Sequence, residues 1–428
     1  MKRLSDTPLR KYCRRGVDLA MFVLLSLGTA DAQTTYTVTD LGTLGGTFSL
    51  GWGVNNKGWV SGFSTLSGDR NTHATLWVNG LKIDLGTLGG PNSLGLLGPA
   101  ERGWAAGIAE TSTPDPNGED ECGFGTHLIC LPFLWQNGVM TALPTLGGNN
   151  GEAFAVNNRG QVAGVAETGM PDPTCTPPAV LGFEPVLWEN GQVQQQLPTV
   201  SGDPDGFATA INDNGQAVGA TANCAEIFQG LRRHAVLWES GTPTDLGSFG
   251  GKLNNQALNL NDRAQVVGYS GLPGDITYHA FLWQNGVMTD IGTLPGDFSS
   301  LAQGINNEGE VVGQSCDASG NCRAFLWQDG VMTDLNALTP ADSPFYTLAA
   351  FEINASGQIT GFGLQASTGE VHAFLATPVP EEASGAAAPA ARGESRQRPR
   401  VTLPESVRKL LQRRLGFGRF GIALRGSR

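Results

Sequence analysis

The sequence lacks the short motifs of several common enzyme classes. It contains no Gly-x-Ser-x-Gly elbow, no His-Glu-x-x-His pair and no Cys-x-x-Cys spacing. These absences argue against an α/β-hydrolase, a zinc protease and a cysteine-ligated zinc site. Charged residues make up only 15% of the chain. The apolar run at residues 19–27 is too short to cross a bilayer, so a retained membrane anchor is the less favoured interpretation of that segment.

Basic residues are scarce in the central part of the chain. Residues 33–377 hold 10 basic and 32 acidic side chains, a net charge of −22, whereas the whole chain has a net charge of −12. The difference comes from basic residues at both ends. Because an acidic body repels phosphate backbones, we expect no nucleic-acid partner.

The N-terminus has the composition of a signal peptide. Six basic residues precede the apolar run, and Ala30-Asp31-Ala32 places small residues at the −3 and −1 positions of a cleavage site before Gln33. We therefore predict that residues 1–32 are removed on export and that the mature protein is extracellular or associated with the cell envelope. The pair Arg14-Arg15 leaves the choice between the general secretory and twin-arginine routes open.

The cysteine content agrees with export. One cysteine lies in the predicted signal peptide, and the six that remain form an even set, which is typical of disulfides in an oxidising compartment. Close spacing predicts one bridge within the first pair and one within the last pair, which leaves the middle two cysteines to join neighbouring repeats. The disulfide candidates are Cys122, Cys130, Cys175, Cys224, Cys316 and Cys322.

One phrase occurs seven times between residues 33 and 377. Its fullest copies begin with DLGTLGG, continue through an apolar stretch, a Gly turn and VVG, and end with HAFLW-QNG-VMT. The copies are 44 to 58 residues apart, a period at which each unit is one supersecondary motif packed against its neighbours. The seven anchors are Asp40, Asp84, Ala142, Gln196, Asp245, Asp290 and Asp334.

Each copy predicts four antiparallel strands, a to d. An Asn recurs between a and b in six of the seven copies, usually with Gly three residues later, and Asn-Gly or Asp-Gly pairs join c to d. Both are hairpin signals. Strand c is apolar on both faces, as expected for a blade that lies between two others. In the copy anchored at Asp245 the predicted strands are residues 256–260, 265–269, 279–283 and 287–291.

The strand count predicts an all-β, seven-bladed β-propeller. Seven a–b–c sets are present, but no strand d follows the last set, which ends at residues 372–376. Residues 36–41 match a strand d and precede the first set. We therefore predict that this N-terminal strand completes the seventh blade and closes the ring. The alternative is an open β-solenoid.

The repeat resembles the bacterial extracellular repeat family named after its HAF triplet. The triplet is present at residues 279–281 and 372–374, and DLGTLGG is present at residues 40–46 and 84–90. The resemblance covers residues 36–377 and implies an exported repeat protein; it brings no activity and no binding residues with it. Several copies lack the triplet, which argues against a function that needs its histidine in every blade.

Most candidate residues recur with the repeat, so we interpret them as structural. Five of the aspartate anchors end strand d, where an Asx-type cap on the following turn is expected. Trp59 and Trp104 replace a Gln or Glu of other copies; we expect them to reflect repacking in wider first blades, with stacking on a sugar ring as the alternative. His127 lies in the loop between Cys122 and Cys130 and is interpreted as loop filler. The histidines that share one repeat position are His73, His234, His279 and His372.

The chain offers little for catalysis or metal binding. No pair of carboxylates stands apart from the repeat as a general acid and a nucleophile, so no catalytic residue is predicted. We predict no cofactor, with calcium as the alternative, because oxygen ligands crowd two loops without matching a known calcium loop closely. One loop contains Asp115, Asn117, Glu119, Asp120 and Glu121, and the other is the turn at residues 203–206.

The insertions that interrupt the repeat point to function. They fall in the b–c connections, at residues 111–129, 168–183 and 221–233, and all six mature cysteines lie in b–c connections. Long, disulfide-braced loops on a rigid scaffold are typical of binding surfaces. The sequence therefore predicts a monomeric binding module for a glycan or a protein. The alternative is an extracellular polymer-degrading hydrolase or lyase with acids at the axis.

The C-terminal segment differs in composition from the repeats. Residues 378–403 are rich in Pro, Ala and Glu and are interpreted as a disordered linker. Residues 404–428 are basic and are predicted to contain a short amphipathic helix, with Val407, Leu410, Leu411 and Leu415 on its apolar face. Such a helix can lie on an anionic membrane or envelope polymer; a solvated tail is the alternative.

Overall fold

A computed structural model describes residues 34–229, 233–379 and 401–402. The predicted signal peptide at residues 1–32, most of the linker at 378–403 and the basic helix at 404–428 lie outside the described residues. Within the described part, the chain forms 28 β-strands, one α-helix and one 3-10 helix. None of the described helices is long and apolar enough to cross a membrane.

The described strands form seven four-stranded antiparallel blades, in agreement with the predicted repeat. Five blades are separate sheets, and blades 7 and 1 are joined into one eight-stranded sheet by a parallel pairing of Val371 with Phe48. A short helix, α1 (Cys224–Gln229), lies in the b–c connection of blade 4, and a 3-10 turn (Leu335–Leu338) follows blade 6. The blades are blade 1 with β2 (Gly45–Val54), β3 (Val60–Leu66), β4 (Thr72–Val78) and β5 (Leu81–Asp84); blade 2 with β6 (Gly89–Gly95), β7 (Ala105–Pro114), β8 (Leu128–Gln136) and β9 (Val139–Ala142); blade 3 with β10 (Gly147–Val156), β11 (Val162–Pro171), β12 (Leu181–Glu189) and β13 (Gln192–Gln196); blade 4 with β14 (Asp205–Ile211), β15 (Ala217–Ala222), β16 (His234–Glu239) and β17 (Thr242–Asp245); blade 5 with β18 (Gln256–Leu260), β19 (Val266–Gly271), β20 (Tyr278–Gln284) and β21 (Val287–Gly292); blade 6 with β22 (Ser299–Ile305), β23 (Val311–Cys316), β24 (Cys322–Gln328) and β25 (Val331–Asp334); and blade 7 with β26 (Phe345–Ile353), β27 (Ile359–Gln365), β28 (Val371–Pro378) and β1 (Tyr36–Asp40).

The N-terminal strand completes the last blade. β1 runs antiparallel to β28, with a register from Tyr36 opposite Pro378 to Asp40 opposite Phe374. Blade 7 also contacts blade 1 directly, because Ala373 N donates to Ser49 Oγ over 2.9 Å. The predicted closure of the ring is confirmed, and the open solenoid is excluded by these contacts.

The core lies between the blades. In β16, both faces are buried: Ala235, Val236, Leu237 and Trp238 are at most 1% exposed. The c–d turns have the positive φ angles that type I′ hairpins require, such as 51° at Asn285 and 83° at Gly286. The sequence pattern therefore predicted both the burial of strand c and the position of its turn.

The recurring Asn of the a–b turn joins neighbouring blades. Each Asn Oδ1 accepts two backbone N–H groups of its own turn, as Asn354 does from Ser356 and Gln358. Its Nδ2 donates to the carbonyl of the equivalent residue in the next blade, as Asn354 does to Asn55 over 2.8 Å. Blade 2 carries Ala100 at this position: its backbone carbonyl accepts from Asn55, but alanine has no side-chain amide to donate to blade 3. The remaining donors are Asn157, Asn212, Asn261 and Asn306.

Candidate binding surface

The recurring histidine and aspartate form a structural pair at the outer edge of the blade. His73 Nδ1 lies 2.8 Å from Asp84 Oδ1, which also accepts the N–H of Gly86. The same arrangement joins His279 to Asp290. Burial alone would raise the pKa of Asp84, but the hydrogen bonds from His73 and Gly86 and the His73 charge hold it below its ordinary value. The aspartate is thus both the turn cap predicted from the sequence and the partner of the histidine.

Four blades fill these positions differently, and blades 2 and 3 carry Leu131 and Glu184 in place of the histidine. In blade 6, Arg323 replaces the histidine and bonds both Asp334, at 3.0 Å, and Asp297, at 2.9 Å. In blade 4, His234 turns away from the strand d aspartate and lies 2.7 Å from Asp203 Oδ2. Blades 4 and 6 therefore keep a charge pair with other members, whereas blades 2 and 3 have none at these positions, as expected for a structural role that different side chains can fill.

The axis of the ring contains a cavity of about 220 Å³ that opens among the a–b turns. One partly buried carboxyl from blade 7 reaches into it: Glu352 Oε2 accepts the Asn259 side chain over 2.8 Å. Burial raises the pKa of Glu352 to about 8, while the hydrogen bonds from Asn259 and the Ile353 N–H act in the opposite direction. Other acids of the lining serve the turns, since Asp213 Oδ1 accepts the N–H of Asn158. The described axial lining therefore shows a single carboxyl directed inward rather than a converging group.

Trp59 and Trp104 pack against the neighbouring blade. A Cβ on Gly103, in the next a–b turn, would lie 3.0 Å from the Trp59 ring, and one on Gly160 would lie 2.7 Å from the Trp104 ring. Lys57 Nζ lies 4.8 Å from the centre of the Trp59 ring. The packing interpretation of these tryptophans agrees with this geometry.

The three long b–c connections are linked into one surface, here called the loop platform (residues 111–129, 168–183 and 221–229). The Cys175–Cys224 disulfide joins the loops of blades 3 and 4, and Cys224 N donates to Thr174 Oγ1 over 3.1 Å. Glu119 of the blade 2 loop accepts the N–H of Val180, in the blade 3 loop, over 3.1 Å.

All three predicted disulfides are present. Cys122–Cys130 closes the blade 2 loop, and Cys316–Cys322 closes the short b–c connection of blade 6. The predicted role of the middle two cysteines in joining neighbouring repeats is also confirmed. Three disulfides in one chain are typical of an oxidising compartment.

Buried acids connect the loop platform to the first strand of blade 3. Asn150 Nδ2, on the first strand of blade 3, lies 2.9 Å from Asp115 Oδ2, 3.1 Å from Glu119 Oε2 and 3.4 Å from both carboxylate oxygens of Glu167. Asn150 Oδ1 accepts the N–H of Cys130 at the end of the blade 2 loop. The acids that suggested calcium therefore bond protein donors, and among the described residues no group of three or more His, Cys, Asp or Glu side chains is arranged to hold a metal.

The second acidic turn is also part of the framework. Asp203 Oδ2 accepts Thr221 Oγ1 over 2.6 Å and pairs with His234. Asp205 is fully buried, and its Oδ1 accepts the N–H of Phe183 in the blade 3 loop. Burial and the nearby Asp172 carboxyl raise the pKa of Asp205 to about 8, although the Phe183 N–H lowers it.

Sequence reasoning missed the polar position of strand a that anchors the loops. Asn92, Asn150 and Asp205 occupy it in blades 2, 3 and 4, and each accepts a backbone N–H from the start of strand c in the preceding blade, where the b–c loop ends. The signal is present in the sequence, because Asn150 and Asp205 each lie seven residues before the recurring Asn of their repeat.

Apolar side chains project from the b–c side of the ring. Met170 and Val180, on the loop platform, are 71% and 36% exposed. Farther round the same side, Ile276 and Phe298 are 74% and 39% exposed, and Thr277 Oγ1 donates to the Phe298 carbonyl. Their exposure was not foreseen, since single apolar residues in a loop carry no periodic signal.

The chain matches no protein-family profile and no curated protein. Its structure is similar to that of an acylaminoacyl peptidase from Pyrococcus horikoshii, with a TM-score of 0.47 and 12% identity over 80% of this chain and 54% of the peptidase. A gluconolactonase from Xanthomonas campestris gives a TM-score of 0.34 and 11% identity over 82% of this chain and 96% of that one. TolB from Acinetobacter baumannii gives a TM-score of 0.35 and 12% identity over 81% of this chain and 63% of TolB. The chain spans about half the length of the peptidase. The assignment of the β-propeller fold rests on the sheet topology.

Proposed function

We propose that the protein is an exported binding module that holds a glycan or a protein on its loop platform. The observation that carries this proposal is the linkage of three repeat-breaking loops by the Cys175–Cys224 disulfide and the Glu119–Val180 hydrogen bond. A pre-ordered surface loses less conformational entropy when a partner binds. Export and an extracellular location are supported by the disulfides and by the signal-peptide composition.

The exposed chemistry of the loop platform favours a protein partner over a glycan. Met170 offers a flexible thioether that adapts to an apolar contact, and Val180 adds an aliphatic group. Sugar rings usually stack on aromatic faces, whereas the exposed large apolar side chains described on the platform are Met170 and Val180. The resemblance to HAF repeats is compatible with this role but supplies no ligand.

The runner-up, a polymer-degrading enzyme with acids at the axis, receives less support. The inward-facing carboxyl described at the axis is Glu352, which is bonded to Asn259. General acid–base hydrolysis of a glycosidic bond normally needs two carboxyl groups at defined separation.

The test uses the mature chain, residues 33–428, with a glycan array and a panel of purified extracellular proteins. Met170→Glu is the test variant. Val139→Glu is the matched control, because Val139 is also an exposed aliphatic residue, at 60%, but lies at a c–d turn on the opposite side. We expect binding to be weakened by Met170→Glu and unchanged by Val139→Glu. Equal effects of the two variants on binding would refute the loop platform as the binding surface. Polymer cleavage by the parent that is lost in Glu352→Gln would favour the enzyme hypothesis.

A further inference from the structure

A second cavity, here called the polar cleft, lies among blades 3, 4 and 5 on the side of the ring opposite the loop platform. Its volume is about 570 Å³, within the range of about 300 to 1,000 Å³ that is usual for small-molecule sites. The a–b turns of the three blades, strand d of blade 3 and the c–d turn of blade 4 form its walls. The polar side chains that line it include Arg159, Gln161, Gln194, Gln216, Glu239 and Arg263.

The polar cleft lies where one repeat position changes from Trp to Gln. At the junctions of blades 1 and 2 and of blades 2 and 3, Trp59 and Trp104 pack against the glycine of the next a–b turn. Blade 3 carries Gln161 at this position. A Cβ on Gly215, in the a–b turn of blade 4, would lie 2.5 Å from Arg159 Nη2 and 3.5 Å from Gln161 Oε1. Polar atoms therefore lie where the first two junctions hold an indole ring.

The accessible part of the lining is polar. The large apolar side chains of the cleft, Leu187, Leu197 and Trp238, are at most 5% exposed, so they offer a ligand little surface. Gln194 and Glu239 are exposed. A side-chain amide both donates and accepts hydrogen bonds, and a carboxylate accepts them, which suits hydroxyl groups that do both. The lining therefore favours a ligand rich in hydroxyl groups.

Two arginines enter the lining from the turns on either side of blade 4. Arg159 Nε and Nη2 both donate to Gln161 Oε1, which fixes that guanidinium in the blade 3 turn. Arg263, in the blade 5 turn, is exposed, and no side-chain hydrogen bond or ion pair with another described residue engages its guanidinium. Because arginine binds a carboxylate through two parallel hydrogen bonds, Arg263 is suited to an anionic group.

The two acids of the lining are engaged by protein donors. Asp262 Oδ1 accepts the N–H of Asp213 over 3.1 Å, and its Oδ2 accepts the Asn307 side chain over 2.9 Å. Glu239 Oε1 accepts Gln216 Nε2. The second oxygen of Glu239 can accept a ligand hydroxyl. The cleft thus combines a cation without a protein partner with several groups that bind hydroxyls.

We propose that the polar cleft binds a small acidic saccharide, a uronic acid or a short oligosaccharide that contains one. Arg263 binds the sugar carboxylate, and Gln194 and Glu239 bind the hydroxyls. The site shares no residue with the loop platform and does not depend on the proposed function. A glycan signal that is lost in Arg263→Gln and kept in Met170→Glu belongs to the cleft.

The first test measures the binding of glucuronate to the mature chain, residues 33–428, by isothermal titration calorimetry. Arg263→Gln removes the charge that binds the carboxylate. Arg102→Gln is the matched control, because Arg102 has the same turn position in blade 2, is also exposed, and lies 5.2 Å from the centre of the Trp104 ring. We expect binding at least about tenfold weaker in Arg263→Gln and within about twofold of the parent in Arg102→Gln. Failure of the parent to bind, or equal losses in the two variants, overturns the proposal.

The second test separates a saccharide site from a general anion site. Glucose lacks the carboxylate and acetate lacks the hydroxyls, so each should bind the parent at least about tenfold more weakly than glucuronate. Glucose that binds as tightly as glucuronate overturns the role of Arg263, and acetate that does so overturns the saccharide.

The third test fills the cleft. Gln161→Trp introduces the ring that blades 1 and 2 already carry at this position, and it should abolish glucuronate binding without lowering the melting temperature. A folded Gln161→Trp variant that binds glucuronate like the parent overturns the location of the site. If this variant does not fold, the comparison of Arg263→Gln with Arg102→Gln still decides.

Discussion

His372 Nδ1 lies 2.9 Å from Asp40 Oδ2, although 332 residues separate the two in the chain. In blades 1 and 5 the same pair joins strands that are connected by a tight hairpin, as His73 and Asp84 are. In blade 7 it joins β28 to the N-terminal strand, which no turn holds in place. The same contact therefore helps to close the ring in blade 7, whereas in blades 1 and 5 it only stabilises an existing hairpin.

Loss of this pair should loosen the closing strand selectively. Asp40→Asn keeps an oxygen for the Gly42 N–H but loses the charge-assisted bond to His372, which costs about 1 kcal/mol. We expect faster amide hydrogen exchange in β1 and β28, whereas Asp84→Asn should leave exchange in the hairpin of β4 and β5 nearly unchanged. Deletion of residues 33–42 should lower the melting temperature far more than either substitution. A deletion variant that melts like the full chain would contradict closure by β1.

Acid should destabilise the protein through the paired aspartates. Burial alone would raise the pKa of Asp40, Asp84 and Asp290, but hydrogen bonds from the paired histidine and the following Gly hold each pKa below its ordinary value. A lowered native pKa stabilises the fold above the unfolded pKa of about 3.9, and this stabilisation is lost as the pH falls through the native pKa. We expect the free energy of unfolding in urea to fall between pH 5 and pH 3. The Asp84→Asn, Asp290→Asn double variant should lose less free energy of unfolding over that interval. An equal loss in the variant and the parent would show that these aspartates do not cause the acid destabilisation.

The axial carboxyl should have the opposite pH dependence. The pKa of Glu352, raised by burial to about 8, lies above its unfolded value of about 4.3. The native state then keeps a proton that the unfolded state has lost, so this group's contribution to stability declines as the pH rises from about 4 to about 8. Glu352→Gln can still accept the Asn259 amide and should be more stable than the parent by about 1 kcal/mol at pH 8, with no difference at pH 4. This gain in stability stays small because the Glu352 side chain borders a cavity of about 220 Å³ that is open to solvent. Asp213→Asn at the rim is the control, and a gain of stability at pH 4 would show that packing, not ionisation, is responsible.

The three disulfides should differ in their contribution to stability. Cys175–Cys224 spans 49 residues of sequence and Cys316–Cys322 spans 6. A disulfide that closes a longer loop restricts the unfolded chain more. Replacing Cys175 and Cys224 by Ser should therefore lower the free energy of unfolding by about 4 kcal/mol, and replacing Cys316 and Cys322 by about 2 kcal/mol. Thermal denaturation of the two double variants measures the difference. If the two losses are the same, the stabilisation does not come from loop closure.

The positions of the strands could be predicted because each blade is local in sequence. In blade 5 the predicted strands at 256–260, 265–269, 279–283 and 287–291 differ from the observed strands by at most two residues at either end. Alternating apolar residues and Asn-Gly turns determine such hairpins over short distances. The strand count predicted the pairing of β1 with β28. The last repeat lacks a strand d, which leaves an unpaired edge that the additional N-terminal strand can cover.

The roles of the polar residues could not be predicted in the same way. Asp115 and Glu119 suggested calcium because oxygen ligands crowd their loop, yet both contact Asn150 of the next blade, and Glu119 also accepts the N–H of Val180 in the blade 3 loop. These bonds form only when the ring brings blades 2 and 3 together. Likewise, no pattern in the sequence shows that Glu352 bonds Asn259 of blade 5 or that Val401 packs against an apolar cluster of the propeller.

The sequence by itself determined the number of repeats, their four strands, the closing role of the N-terminal segment and the three disulfides, because each depends on local hairpins or on a count of strands and cysteines. Only the tertiary structure decided which acids are buried and which loops join into the loop platform. Those outcomes depend on contacts between repeats, and the direction of a side chain across a blade interface is set by the packing of residues 31 to 93 positions away.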